Sequence, residues 1–201
     1  MIVYVESNFV LELAYLQEEH ESCEEILNLA QEGRIGLVLP AYSIGEPYDS
    51  WVRRSKQRAE LHDRLSRELN ELSRSKPYVE MHGEFREITK SLIQSGEEEK
   101  GRLDNAVNRI LETAIVVPIE RELIKAAIEL QKTRNLSPQD SIVYASVLSH
   151  LSNNPTEEPK CFITKNSKDF ANPDIYTELE AYSCKLLTKF GDGLGHSRNH
   201  L

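Results

Sequence analysis

The feature that most constrains the fold is the regular alternation of short apolar, β-branched runs with longer segments of helical spacing. The runs predicted to be strands cover residues 2–5, 35–39, 114–117, 161–164 and 184–188. Between them, apolar residues recur every three or four positions, which is the period of an amphipathic helix. Strands that alternate with helices are typical of βαβ units and a parallel sheet. We therefore predict an α/β fold, a three-layer α/β/α sandwich with a mostly parallel sheet.

The helical segments set the expected organisation of the chain. They cover residues 9–16, 23–30, 43–75, 83–94, 97–112, 120–134, 137–151 and 174–182. The dipeptide Ser95-Gly96 predicts a break between two of these helices. A length of 201 residues is typical of one domain. We place that domain at residues 1–190 and predict that the Gly- and His-rich segment 191–201 is a flexible tail.

Charge and hydropathy restrict the partners. No apolar run is long enough to cross a membrane, and the first residues lack the basic and apolar regions of a signal peptide, so we predict a cytoplasmic protein with no membrane contact. The formal net charge of −9 argues against nucleic-acid binding through bulk electrostatics. Any such binding must be local, and the best candidate is the basic segment 51–76, which contains Arg53 and Arg54. A solvated helix face explains that segment equally well.

Oxygen-bearing side chains follow the predicted strands. Glu6 ends the first strand, Glu46 opens the helix after the second, and Asp140 opens a later helix. Asn166 and Asp169 come just after the fourth strand. Ligands of an open parallel sheet bind beyond the carboxyl ends of its strands, so these side chains are expected to converge. Clustered carboxylates repel one another unless a hard cation neutralises them, which predicts a Mg²⁺ or Mn²⁺ site.

Each of these residues also has a purely structural interpretation. Glu46 stands three residues after Ser43 and Asp140 three residues after Ser137, which is the spacing of a capping box. Asn166 and Asp169 are ordinary turn and cap residues. Glu6 is harder to explain in this way, because a carboxylate directly after a buried strand needs a partner to offset its desolvation.

Four segments together resemble the PIN-domain family, a fold of toxin-type and RNA-processing endoribonucleases. They read, in chain order, VYVESN at 3–8, LP at 39–40 with SIGE at 43–46, LSPQDS at 136–141, and FITKNSKDF at 162–170. The order and spacing of these motifs match the family over most of residues 1–50 and 114–190. The stretch from about 52 to 112 is longer than in compact members and resembles a helical insertion.

The resemblance implies a metal-dependent endoribonuclease that hydrolyses RNA phosphodiester bonds with Mg²⁺ or Mn²⁺. It implies that Glu6 and Asp140 bind the metal directly. It also implies that Glu46, Asn166 and Asp169 complete the ligand shell or orient metal-bound water, with the three acids Glu46, Asp140 and Asp169 acting beside Glu6 in catalysis.

The resemblance also suggests residues that contact the substrate and partners other than RNA. The expected substrate-binding residues are Ser7, Asn8, Thr164, Lys165, Arg53 and Arg54. Capping of the first helix is the competing role for Ser7, and a plain surface position is the competing interpretation of Lys165. Toxin members of the family are neutralised by small antitoxin proteins, so an antitoxin and a second copy of the chain are the expected protein partners.

Two departures from the family pattern leave a second hypothesis open. The first acid is Glu6 where the family usually has Asp, and Asn166 stands where many members have Asp. Glutamate is one methylene longer, which moves the carboxylate by about one C–C bond, while metal distances are fixed within tenths of an ångström. The alternative is a catalytically weakened PIN domain that binds RNA or a protein.

Overall fold

The fold is built on a parallel sheet. The computed structural model describes residues 1–170 and 172–201, and the side chains of all of these except residues 79–85. Within them the strands are β1 (Ile2–Val5), β2 (Gly36–Pro40), β3 (Ile115–Val117), β4 (Lys160–Ile163) and β5 (Cys184–Leu187). Their order is β3-β2-β1-β4-β5 and every pairing is parallel. The predicted α/β class and parallel sheet are confirmed.

Helices cover both faces of the sheet, as the alternation predicted. They are α1 (Ser7–Tyr15), α2 (His20–Gln31), α3 (Tyr42–Leu72), α4 (His82–Thr113), α5 (Arg121–Arg134), α6 (Pro138–Asn153), α7 (Ser167–Phe170), α8 (Pro173–Glu180) and α9 (Phe190–Arg198), with a 3₁₀ helix at Lys76–Met81. In the part of the chain that the structure describes, no helix is long and apolar enough to cross a membrane.

Two apolar cores lie on opposite faces of the sheet because successive strand residues point to opposite sides. Val3 and Val5 of β1 face a core shared with α1, α2, α4 and α9, whereas Tyr4 faces a core shared with α5, α6 and α8. Burial of each large apolar side chain contributes about 1.5–3 kcal/mol. Since β1 is the central strand and is buried on both faces, the position of the residue that follows it is firmly fixed.

A continuous α4 replaces the predicted break at Ser95-Gly96, and that prediction was wrong. The reason is a tertiary contact with α3, which runs antiparallel to α4. The Trp51 indole N–H donates to the Gly96 carbonyl at 2.9 Å. A Cβ at Gly96 would lie 3.5 Å from the Ser55 Oγ, so the glycine lies directly beneath α3. Packing against α3 compensates for the low helix propensity of glycine.

Helix α9 occupies most of the segment predicted to be a flexible tail, so that prediction was also wrong. Phe190 and Leu194 are buried one helical turn apart and join the core on the α1 side. Gly193 lies so close to Ile163 that a Cβ there would stand 2.1 Å from the Ile163 Cδ1. Glycine thus permits close packing of α9 on the end of β4, which a Gly-rich sequence alone does not reveal.

Candidate metal and phosphodiester site

Glu6 lies at the junction of β1 and α1, and its carboxylate caps the helix. The backbone N–H of Asn8 donates to Oε2 at 2.9 Å, and the Asn8 side-chain amide donates to Oε1 at 2.9 Å. Glu6 is only 5% exposed. Burial raises the pKa of this carboxyl, the hydrogen bonds from Asn8 and Ser7 oppose that rise, and the charge of Glu46 adds to it. A nearby positive charge would offset the free-energy cost of burying the ionised Glu6 carboxylate.

Ser7 links Glu6 to the acid that follows β2. Its hydroxyl donates to Glu46 Oε2 at 2.5 Å and lies 3.1 Å from Glu6 Oε2. A hydroxyl has one proton, so the two carboxylates compete for the same donor. The ends of β1 and β2 therefore bring two acids to opposite sides of one serine hydroxyl.

Asp140 is held in the first turn of α6 by two neighbours. Ser137 caps the helix, because its Oγ accepts from the Asp140 backbone N–H at 3.1 Å and donates to Asp140 Oδ2 at 2.5 Å. Asn166, after β4, donates from its amide to Asp140 Oδ1 at 3.0 Å. The predicted capping role of the Ser137–Asp140 pair is present, and the same geometry fixes the carboxylate next to the end of β4.

A pocket of about 280 Å³ lies where these segments meet. Its polar lining comes from Glu6, Ser7, Asn8, Glu46, Gln139, Asp140, Lys165 and Asn166, and its apolar lining from Leu11, Val143 and Phe170. Four of the five oxygen-bearing residues singled out in the sequence thus face one cavity at the carboxyl ends of β1, β2 and β4. Sequence reasoning did not identify Gln139 or the three apolar residues, because only the packing of α1, α6 and α7 directs them into the pocket.

The remaining predicted site residues lie outside this lining. Thr164 is fully buried, and its hydroxyl accepts from the Asn166 backbone N–H at 3.1 Å, which shapes the turn instead of presenting a group to a substrate. Asp169 lies in α7 and does not line the pocket. Arg53 is exposed on α3, and the Arg54 guanidinium stacks 4.2 Å above the Tyr15 ring. The structure does not bring these four side chains to the pocket.

Lys165 lines the pocket, but its ammonium group is bound to α1. Its Nζ donates to Glu12 Oε1 at 2.6 Å and lies 3.9 Å from Glu19 Oε2. The hydrogen bond to Glu12 raises the pKa of Lys165, so the amine stays charged. Glu12 is 1% exposed and was missed in the sequence, where it resembles an ordinary helical charge. The pair anchors the turn that carries Asn166.

The donor set fits a hard divalent cation by its chemistry. Carboxylate and amide oxygens are the ligands that Mg²⁺ and Mn²⁺ prefer. Glu6 and Asp140 use both oxygens for bonds within the chain, yet a carboxylate has about four lone-pair sites, so each keeps acceptor capacity toward the pocket. Among the described residues, no group of three His, Cys, Asp or Glu side chains is already close enough to enclose a metal ion.

Comparison with known proteins identifies the family. A family model described as PIN domain matches residues 3–170, a span that includes every residue lining the pocket. No curated protein and no solved structure matches the chain. PIN domains are generally nucleases that use divalent metals. With the parallel sheet and the acids at its carboxyl edge, the match shows that this chain belongs to the PIN-domain family.

Proposed function

We propose that this protein is an endoribonuclease that hydrolyses RNA phosphodiester bonds with a Mg²⁺ or Mn²⁺ ion held in the pocket between Glu6 and Asp140. One observation carries the proposal. The carboxylates of Glu6, Glu46 and Asp140 and the amide of Asn166, from four separate segments, line a single cavity of about 280 Å³ at the carboxyl edge of the sheet. That cavity is large enough for a phosphodiester group, and the family match supports nuclease chemistry there.

The residues of the pocket have distinct roles in this proposal. Glu6 and Asp140 would hold the ion, and Glu46 and Asn166 would complete the set of oxygen donors. When bound, such an ion stabilises negative charge on the phosphate and makes a water molecule more acidic. Ser7 keeps Glu6 and Glu46 at a fixed spacing, since its hydroxyl contacts both. Positioning by bonds of this kind prepares the site before the substrate binds.

A specific observation favours a second candidate, a PIN domain that binds RNA without cutting it. Both oxygens of Glu6 already accept hydrogen bonds within the chain, and burial favours its protonated form. A protonated Glu6 would be a poor metal ligand. The role of toxin, with a small antitoxin as partner, is a narrower version of the first proposal, and its test is whether RNA cleavage stops when the product of an adjacent small gene is added.

Cleavage of a labelled single-stranded RNA separates the two candidates. The wild type should cut it in Mn²⁺ or Mg²⁺ and should stop in EDTA. Asp140→Asn keeps the shape of the side chain but removes its charge, and should lower the cleavage rate by at least about 100-fold. Asp192→Asn is the matched control, because Asp192 is also an acid in the first turn of a helix but is exposed on α9. Equal cleavage by both variants would contradict the nuclease proposal.

A further inference from the structure

The chain separates its charges between the sheet and the hairpin formed by α3 and α4. We call residues 51–94 the arm. The arm contains ten Lys and Arg residues and seven Asp and Glu residues, a net charge of +3. Because the whole chain carries −9, the remainder carries −12. The acidic pocket and the acidic remainder both repel RNA, so the arm is the part of the molecule whose charge attracts a polyanion.

Polar contacts with the rest of α4 hold the inner part of the arm. Arg58 makes two hydrogen bonds to Glu99, at 2.8 and 2.7 Å, and the Glu99 side chain is 10% exposed. Trp51 adds its bond to the Gly96 carbonyl. These contacts neutralise Arg58 and fix α3 against α4. The arm is therefore a stiff element and not a loose charged loop.

Farther out along the arm, Arg74 pairs with Glu71, but two cations of α4 have no such partner among the described residues. Arg86 and Lys90 stand one helical turn apart on α4, both are exposed, and neither makes an ion pair with any described residue. Both line a groove of about 660 Å³ between α3 and α4, together with His62, Ser66 and Thr89. No acid lines this groove among the residues whose side chains the structure describes. A concave surface with two cations that no described residue pairs, and with no acid in its described lining, suits a chain of phosphates.

We infer that this groove, defined by His62, Ser66, Arg86 and Lys90, binds the phosphate backbone of single-stranded RNA whose scissile bond lies in the pocket. The inference rests on the proposed function. A continuous helix joins the two places, since α3 contains Glu46 of the pocket and His62 of the groove. Sixteen residues of helix span about 24 Å. This is about three Debye lengths at physiological salt, so the acids of the pocket do not cancel the cations of the groove.

The spacing also favours a single strand and sets its length. A pocket of about 280 Å³ admits one phosphodiester group and not a duplex. At about 3.4 Å per stacked nucleotide, 24 Å corresponds to about seven nucleotides. A stacked strand shorter than this cannot occupy the pocket and the groove together, and a strand of about three nucleotides cannot do so even when it is fully extended. The groove should therefore contribute to the binding of long RNAs and add nothing for short ones.

The test measures RNA binding without cleavage, in full-length protein carrying Asp140→Asn. Arg86→Gln with Lys90→Gln removes both groove cations, and Arg121→Gln with Lys125→Gln removes an exposed pair of the same spacing on α5. Fluorescence anisotropy with an unstructured RNA of about 12 nucleotides should show about fivefold weaker binding for the groove pair. The slope of log affinity against log salt should fall by about 1.4. The α5 pair should change neither quantity.

A second RNA of about three nucleotides completes the experiment, because the groove pair should bind it as well as the parent protein does. The inference is overturned if the groove pair binds the long RNA normally, if the α5 pair loses as much affinity, or if the short RNA loses affinity equally. Circular dichroism and the melting temperature confirm that each variant is folded. Metal-dependent cleavage by the wild type is measured separately. If the wild type does not cleave RNA but its binding still depends on the groove, only the nuclease proposal is contradicted.

Discussion

The pocket and the arm hold their charged side chains in different ways, although α3 contributes residues to both. In the pocket, the acids Glu6, Glu46 and Asp140 are partly or fully buried and already bonded to neighbours in the chain. In the groove of the arm, Arg86 and Lys90 are exposed and without ion pairs to described residues. Groups that must hold a metal in a fixed geometry are positioned in advance, whereas groups that attract a flexible strand can stay solvated. The difference indicates that the pocket positions the groups that bind the metal, whereas the arm attracts the RNA.

The largest expected contrast, between the end of β4 beside the pocket and the α3–α4 hairpin that carries the arm, comes from one methyl group. Gly193→Ala places a Cβ against the fully buried Ile163 at the end of β4, and should lower the free energy of unfolding by about 1–3 kcal/mol. Gly96→Ala in α4 meets only ordinary contact with Ser55 and should raise it by about 0.5–1 kcal/mol. Urea unfolding of both variants provides the measurement. If both variants lost a similar free energy of unfolding, the packing of α9 on the end of β4 would be no closer than the packing of α3 on α4.

A change at Asn166 should separate stability from metal affinity within the pocket. Asn166→Asp replaces a donor to Asp140, at 3.0 Å, with a second carboxylate. Without metal the two charges repel, and the free energy of unfolding should fall by about 1 kcal/mol. With Mn²⁺ the added ligand should raise the affinity about tenfold. Thermal melts with and without Mn²⁺ measure both effects. Weaker Mn²⁺ binding would show that Asn166 does not face the ion.

The smallest expected effect concerns pH and the helix that carries Asp140. At the other end of α6, His150 shares a hydrogen bond of 2.9 Å with the Tyr4 hydroxyl of β1. Burial lowers the pKa of His150 in the folded protein. The unfolded chain therefore takes up a proton first, so this contribution to stability is complete above about pH 6.5 and decreases as the pH falls below it.

His150→Gln should remove that part of the pH dependence, an effect below about 1 kcal/mol. Melting temperatures of the variant and the wild type between about pH 5.5 and pH 7.5 provide the comparison. If the variant and the wild type showed the same change in melting temperature over this pH range, a group other than His150 would cause the pH dependence.

The sequence predicted what depends on local pattern and missed what depends on contacts between distant segments. The parallel sheet and the convergence of four oxygen-bearing residues follow from alternation and from position after a strand, which is a local signal. The continuity of α4 depends on Trp51, 45 residues away from the Gly96 carbonyl that it binds. Helix α9 depends on the fit of Gly193 to Ile163. Neither contact produces a periodic pattern in the sequence.

The same distinction explains where the candidate site differs from the expected one. Glu12 reads as an ordinary helical charge, and only the fold brings Lys165 to it across 153 positions. Thr164 and Asp169 both lie in the segment after β4, but the turn buries the first and α7 directs the second away from the pocket lining. A position after a strand predicts the edge of the sheet at which a residue lies. It does not predict where the side chain points.

The most direct test of the account is Mn²⁺ binding, measured by isothermal titration calorimetry on the wild type, Glu6→Gln, Asp140→Asn and Asp192→Asn. If Glu6 and Asp140 hold one ion between them, the wild type and Asp192→Asn should bind Mn²⁺ equally, and each of the other two variants should lose at least about tenfold in affinity. Unchanged affinity in Glu6→Gln and Asp140→Asn would contradict a shared metal site at the carboxyl edge of the sheet.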